Sequence, residues 1–237
     1  MLEKLPKKIT PCHIKDAIIE LRFETSMPPD AIFGVIYQEI KDDFPKLENL
    51  PITQLPEQMR KDINLLYKAY YKLTNKNFVF RVGPKMVSVS NIEEYAGWNN
   101  FSKKFYKCYS KIEKLKIIDK IVRLGMRYID FYEFDIFDKV NLNINKENQP
   151  LQSNDIFIRT LLERGRFKQT LQVSNNAEMQ LKLGLKKGSV IDIDTYIENS
   201  NIKNNMKELI EKGHIAQKEL FFSLLKPEFL QELNPEY

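Results

Sequence analysis

Residues 78–90 read Phe-Val-Phe-Arg-Val-Gly-Pro-Lys-Met-Val-Ser-Val-Ser, and this stretch decides the fold class. Apolar residues alternate with others up to Gly83-Pro84, and a second short run continues from Met86 to Ser90. A period of two is typical of a half-buried strand, and the Gly-Pro pair is a turn signal. Since a similar run from Leu65 to Leu73 precedes them, we predict a three-stranded antiparallel meander.

The same pattern continues on both sides of the meander. Residues 17–23 alternate as a first strand, and further strand runs fall within 122–134 and 156–198. Apolar residues at helical spacing mark three helices, at about 29–44, 92–116 and 202–225. The second carries an aromatic stripe of Tyr95, Trp98, Phe101 and Phe105, which we interpret as core rather than as a groove for a partner or a lipid. These runs predict an α+β fold, with antiparallel sheets and long amphipathic helices packed on one face, in two similar halves.

Residues 141–155 are rich in Asn and contain Pro150, which is typical of a linker. We therefore predict an N-terminal α+β half over 1–140, the linker over 141–155, and a C-terminal α+β half over 156–237. Each predicted half contains a series of strands followed by a long amphipathic helix.

Composition excludes several classes of protein. Of 237 residues, 43% are hydrophobic, which is too many for a disordered chain. No run of about 18 apolar residues would span a membrane, and no Gly-rich phosphate loop opens a helix. Two cysteines, and a basic N-terminus without an apolar segment after it, predict a cytoplasmic protein. The net charge is +5, from 37 Lys and Arg against 32 Asp and Glu.

Short motifs spread over nearly the whole chain resemble a sporadically distributed bacterial family of uncharacterised proteins. The most specific are the Tyr-x-Gly-Trp motif at 95–98 and the Gly-x-Arg-Tyr-Ile motif at 125–129. The family's second motif usually reads Gly-Leu-Arg-Tyr-Ile-Asn, so Met126 and Asp130 depart from it conservatively. The resemblance implies a bacterial accessory gene of similar length, and it implies no catalytic residues.

Asp192 and Asp194 are candidate metal ligands, because a strand would place both carboxylates on one face. Such a pair can hold Mg²⁺ for phosphoryl or nucleotidyl transfer. Gly188-Ser189 resembles the Gly-Ser pair of nucleotidyltransferases, but the spacing to Asp192 is too short for the helix that those enzymes place there. We favour a strand with a polar outer face, and Asp192 and Asp194 remain catalytic candidates.

His214 is a further catalytic candidate, as a general base beside Glu211 or Lys218. No Ser or Cys nucleophile motif accompanies it, so a structural histidine is favoured. Cys12, His13, Cys108 and His214 are residue types that bind zinc, but they lack the short spacings of zinc sites. We therefore expect no metal site and no cofactor.

Arg164, Arg166, Lys168 and Lys187 could converge into a basic patch, with Lys182 and Lys186 nearby in sequence. Such a patch can bind a phosphate backbone, although exposed basic residues around a turn are ordinary. Two arginines of another strand, Arg123 and Arg127, are predicted to need partners. Glu20 is the carboxylate we expect for them, and we favour this structural pairing over a role of the arginines in binding a substrate.

The sequence predicts a non-catalytic protein-binding module of a bacterial accessory system. One concrete version is a defence or toxin–antitoxin pair whose partner is a neighbouring gene product. Two alternatives stay open: a nucleic-acid-associated protein that uses the basic patch at 164–187, and a metal-dependent nucleotidyl- or phosphoryl-transfer enzyme that uses Asp192 and Asp194. We expect no membrane partner. Enzyme activity stays an open question, although the residues favour a protein that is not an enzyme.

Overall fold

A computed structural model describes residues 4–60, 62–92, 94–147, 149–150, 155–181, 184–198 and 201–237. The helices and strands of these residues are, in chain order, β1 (Ile14–Glu24), α1 (Pro29–Ile40), β2 (Lys46–Asn49), α2 (Glu57–Arg60), α3 (Ile63–Leu66), β3 (Tyr71–Asn75), β4 (Phe78–Gly83), β5 (Met86–Ile92), α4 (Trp98–Lys114), β6 (Lys120–Tyr132), β7 (Asn145–Lys146), β8 (Gln149–Pro150), β9 (Phe157–Arg164), β10 (Phe167–Leu181), β11 (Gly184–Glu198), α5 (Met206–Leu224) and α6 (Pro227–Glu232).

Nine of these strands form one antiparallel sheet in the order β2-β3-β4-β5-β1-β6-β11-β10-β9. β7 and β8 pair with each other in a separate two-stranded sheet. The expectation of an α+β protein with antiparallel strands is therefore confirmed.

The finer prediction, antiparallel sheets with long amphipathic helices packed on one face in two similar halves, is wrong. The strands join in one nine-stranded sheet, and the helices are mostly short. α5, with 19 residues, is the longest of the described helices, whereas α2 and α3 have 4 residues each. The prediction failed because alternation assigns a face to each strand but does not identify the strand beside it.

The chain divides into two compact units, each assembled from separate stretches of sequence. The first, called the meander unit here, consists of Asp16–Met126 and Tyr196–Leu209. The second, called the hairpin unit, consists of Met1–Lys15, Arg127–Thr195 and Ile210–Tyr237.

In the meander unit, β3, β4 and β5 form the predicted antiparallel meander. Phe80 lies opposite Leu73 on one side and opposite Val89 on the other, and all three are buried. The first strand of the meander begins later than predicted, at Tyr71, because the residues after Leu65 complete a helical turn in which Lys68 N–H donates to the Leu65 carbonyl.

Two helices of the meander unit bury apolar stripes. α1 begins at Pro29, where proline is tolerated, and it buries Ile32, Ile36 and Ile40. α4 carries the aromatic stripe identified in the sequence, and Phe101 and Phe105 are buried. The interpretation of these two rings as core is confirmed.

The hairpin unit has its own apolar core. It is formed by residues of the N-terminus, β6, β10, β11, α5 and α6 and of the turn after β6: Ile9, Tyr132, Ile136, Val140, Leu171, Val173, Ile191, Ile193, Leu220, Phe221, Phe222, Leu224, Leu225, Phe229, Leu230 and Leu233. β9 and β10 are joined by the two residues Gly165 and Arg166, and Gly165 has a φ of +57°. A positive φ at the first of two central residues is the requirement of a type II′ hairpin turn, which glycine meets without strain.

Residues 148 and 151–154 of the predicted linker lie outside the described residues, as do 182–183 in the connection between β10 and β11. Among the helices of the described part of the chain, none combines the length and the hydropathy needed to cross a bilayer.

Candidate functional site

Asp192 lies in β11 and is held by two side chains of neighbouring strands. Arg127 of β6 donates from Nε to Asp192 Oδ1 at 2.8 Å and from Nη2 to Oδ2, so the contact is bidentate. Gln172 of β10 donates from Nε2 to Asp192 Oδ2 at 3.1 Å. Both carboxylate oxygens, which a metal ion would need, therefore accept hydrogen bonds from the protein itself.

Asp194 lies two residues further along β11, half-buried, and it also makes a polar or electrostatic interaction. Across the residues that the structure describes, no three or more His, Cys, Asp or Glu side chains are grouped so that they could hold a metal ion. The arrangement around Asp192 and Asp194 resembles a structural ion-pair network more than an open metal site.

Arg123 lies in the meander unit and pairs with Glu20, as predicted. Its Nη1 donates to Glu20 Oε1 at 3.0 Å, and its guanidinium lies 4.4 Å from the ring centroid of Tyr196. Arg22 donates to the same Glu20 oxygen at 2.8 Å. Glu20 therefore pairs with both Arg123 and Arg22, whereas Arg127 pairs with Asp192. Alternation alone could not identify the Arg127–Asp192 pair.

His214 of α5 lies half-buried, with Nδ1 3.2 Å from the Tyr128 hydroxyl. Burial, with a smaller contribution from the charge of Lys218, lowers the pKa of His214 from 6.5 to about 3. The imidazole is therefore neutral at pH 7 and a poor proton acceptor, which favours the structural interpretation.

A buried polar group that the sequence analysis missed lies in the hairpin unit. Asp130 is 3% exposed, and its Oδ1 has no hydrogen-bond partner among the described residues. Burial, and secondarily the charge of Asp192, raise the pKa of Asp130 to about 7. The signal was present in the sequence, because Asp130 continues the alternation of Leu124, Met126 and Tyr128.

Tyr132 is the last residue of β6, and His13 directly precedes β1. Their rings stack with centroids 4.4 Å apart, and the Tyr132 hydroxyl is buried without a hydrogen-bond partner among the described residues. Burial lowers the pKa of His13. The contact of His13 with the Phe131 carbonyl raises this pKa, but by less than burial lowers it. These two rings form a stacked aromatic pair.

A second buried network joins β10, β11 and α5, and it too was missed. Gln169 donates to Thr195 Oγ1 at 2.9 Å and to the Ala216 carbonyl at 3.0 Å. Thr195 donates to Gln217, which in turn donates to the Ile193 carbonyl at 3.2 Å. Such a network fixes the position of α5 on its strands, and no spacing in the sequence distinguishes it from surface glutamines.

The predicted basic patch does not gather at one place. Arg164, Arg166 and Lys168 surround the β9–β10 turn, and Arg164 lies 3.5 Å from Glu219. Lys187 lies 3.4 Å from Glu178 of β10. Glu178 and Lys168 are about 33 Å apart along β10, since a strand rises by about 3.3 Å per residue. Lys186 pairs with Glu133 at 3.1 Å, and Lys182 lies outside the described residues. Arg164, Lys186 and Lys187 thus lie beside carboxylates, and the basic residues occupy two separate positions along the hairpin.

The end of the β10–β11 hairpin is a surface of the hairpin unit with apolar side chains and no buried residue. We call residues 174–181 and 184–188 the distal hairpin. None of these residues is buried, although both strands continue through them. Half-buried Met179 and Leu181 alternate with exposed neighbours, and Leu185 is 59% exposed. Apolar side chains of this strand pair thus remain accessible.

The chain was compared with known proteins. No protein-family profile matches it, and no curated protein sequence matches it significantly.

Proposed function

We propose that this protein is a non-catalytic protein-binding module and that a protein partner covers the distal hairpin. The observation that carries the proposal is a continuous strand pair without a buried residue, which nevertheless presents Met179, Leu181 and Leu185. A two-stranded hairpin is only marginally stable alone in water and needs a covered apolar face. A partner would supply that cover.

The partner would present an apolar patch with a polar rim. Methionine and other large apolar groups are typical of the buried centre of an interface, and charged residues are typical of its edge. The charged pair Lys187 and Glu178 lies on the same hairpin as Leu185 and could form that edge. Full burial of one leucine side chain stabilises by about 1.5–3 kcal/mol.

The partner we propose is the product of a neighbouring gene in a bacterial accessory system of the defence or toxin–antitoxin kind. This part of the proposal is supported by the sequence resemblance at 95–98 and 125–129. Two observations also support a non-catalytic function. The Asp192 carboxylate already accepts hydrogen bonds from Arg127 and Gln172, and the lowered pKa of His214 makes it a poor general base.

Co-expression with the products of adjacent genes tests the proposal. We expect a stoichiometric complex with one of them, and we expect Leu185→Asp to weaken it. Gln231→Glu is the matched control, since it adds the same charge at an exposed polar position of α6, outside the distal hairpin. Equal binding by both variants, or no complex with any neighbouring product, would contradict the proposal.

Nucleic-acid binding is the competing outcome. It predicts salt-dependent binding of DNA or RNA that Arg166→Glu and Lys168→Glu weaken and Leu185→Asp leaves unchanged. That result would replace the protein-binding proposal with binding at the β9–β10 turn.

A further inference from the structure

β9 is a long strand at the edge of the sheet. The strand order ends at β9, so among the described strands only β10 pairs with it. β9 has eight residues, whereas β2 at the other edge has four, all of them exposed. Long edge strands present a row of backbone groups that another chain can pair with, and short charged edges are a common protection against this.

The residues that face the free edge follow from the β9–β10 register. Asn175 N–H donates to the Ile156 carbonyl at 3.2 Å, so position 156 directs its backbone toward β10. In an antiparallel ladder this direction alternates from residue to residue. Positions 157, 159, 161 and 163 therefore direct their N–H and C=O groups away from β10, and the side chains of these four residues are exposed.

These four exposed residues are Phe157, Arg159, Leu161 and Glu163, with Phe157 64% and Leu161 56% exposed. Around Leu161, the opposite charges of Arg159 and Glu163 are placed symmetrically. A twofold axis at Leu161 would therefore put each Arg159 opposite Glu163 of the second copy, and the two Leu161 side chains opposite each other. In this register, the N–H and C=O groups of β9 that point away from β10 would face the same groups of the second copy.

Other antiparallel registers are worse. An axis at Arg159 or Glu163 opposes like charges, which is destabilising across a strand pair. An axis at Thr160 or Leu162 puts a charged residue opposite Leu161. The sequence of the edge therefore favours one register among those that the backbone permits.

We propose that two copies of this chain associate through antiparallel pairing of β9 with β9, about a twofold axis at Leu161. The contact is isologous, so it closes as a dimer and does not extend further. This association goes beyond the proposed function, because it uses β9 and leaves the distal hairpin for a different protein.

Charge exchange at β9 tests the dimer, measured by sedimentation equilibrium over a range of concentrations. Arg159→Glu and Glu163→Arg each turn two attractive contacts into two repulsive ones, and we expect each to weaken dimerisation about tenfold or more. The double variant restores opposite charges and should recover the wild-type association, as should Arg159→Lys. Leu185→Asp should leave the dimer unchanged.

A second measurement locates the axis. After exposed Cys12 is replaced by Ser, Leu161→Cys should form an intermolecular disulfide under mild oxidation, because paired positions lie about 5.5 Å apart between Cα atoms. Phe157→Cys, at a position that is at least as exposed but off the axis, should cross-link far less. A monomer at every concentration, a dimer indifferent to single charge reversals, or no recovery in a folded double variant would overturn the proposal.

Discussion

Arg127 and Asp192 form a bidentate ion pair between β6 and β11, and Gln172 donates to the same carboxylate. The side chain of Asp192 is 8% exposed while that of Arg127 is 42% exposed. The pair therefore holds a buried carboxylate with a partly solvated cation, an arrangement that stabilises the strands and occupies the group that a metal-dependent enzyme would use.

Asp192→Asn is expected to destabilise the protein by about 1–3 kcal/mol, because it leaves Arg127 without its charged partner. Urea unfolding measures the loss. Asp194→Asn is the control, and its cost should be smaller because Asp194 is more exposed. A variant that keeps full stability but loses a Mg²⁺-dependent activity would favour the enzyme hypothesis instead.

Asp130→Asn is expected to stabilise the protein at pH 8 and to have little effect near pH 4. The pKa of Asp130 is raised from 3.8 to about 7, so the folded state keeps a proton that the unfolded state releases between these values. Stability from this group is present below about pH 3.8 and is lost as pH rises through 7. The gain at pH 8 is of the order of 2–4 kcal/mol. A gain that does not vary with pH would contradict this account.

His214→Gln should increase the free energy of unfolding at pH values below 6.5. The pKa of His214 is lowered from 6.5 to about 3, so the unfolded state binds a proton that the folded state excludes, and stability is lost as pH falls below 6.5. Relative to wild type, the variant should gain about 1.4 kcal/mol per pH unit below that value.

The opposing effects of Asp130 and His214 should largely cancel between pH 3.8 and 6.5 in the wild-type protein. Each single variant should therefore show a pH slope of opposite sign in this range. Identical slopes in chemical unfolding of the two variants would show that neither group has a shifted pKa in the folded state.

Gly188→Ala should destabilise the protein by about 2–3 kcal/mol, since an added Cβ would lie 2.1 Å from the Tyr132 carbonyl oxygen. Gly34→Ala is the matched control. It lies within α1 with nothing within 4 Å of an added Cβ, so it should stabilise by about 0.5–1 kcal/mol. Thermal unfolding separates the two, and equal shifts would contradict the close approach at Gly188.

Local features were largely predictable from the sequence. The alternation of 17–23 identified β1, and helical spacing identified Phe101 and Phe105 as core, because each pattern depends on neighbouring residues alone. The pairing of Arg123 with Glu20 was also predictable, since a buried guanidinium needs a carboxylate from an adjacent strand.

Long-range features were not predictable. Alternation does not show that β6 lies between β1 and β11, so both the single sheet and the Arg127–Asp192 pair went unrecognised. The basic residues at 164–187 are close in sequence but far apart along β10, because extended strands separate residues by about 3.3 Å each. Asp130 occupies the next position after Leu124, Met126 and Tyr128 on the buried face of β6, so its burial could have been predicted from the alternation.

The central claim is that the distal hairpin binds a protein, and the affinity of that complex tests it most directly. The partner product that co-purifies with the chain is titrated by calorimetry against wild type, Leu185→Asp and Gln231→Glu. We predict that Leu185→Asp weakens binding about ten- to a hundredfold, as expected for the loss of one buried leucine, while Gln231→Glu binds within about threefold of wild type. An affinity that Leu185→Asp leaves unchanged would contradict the claim.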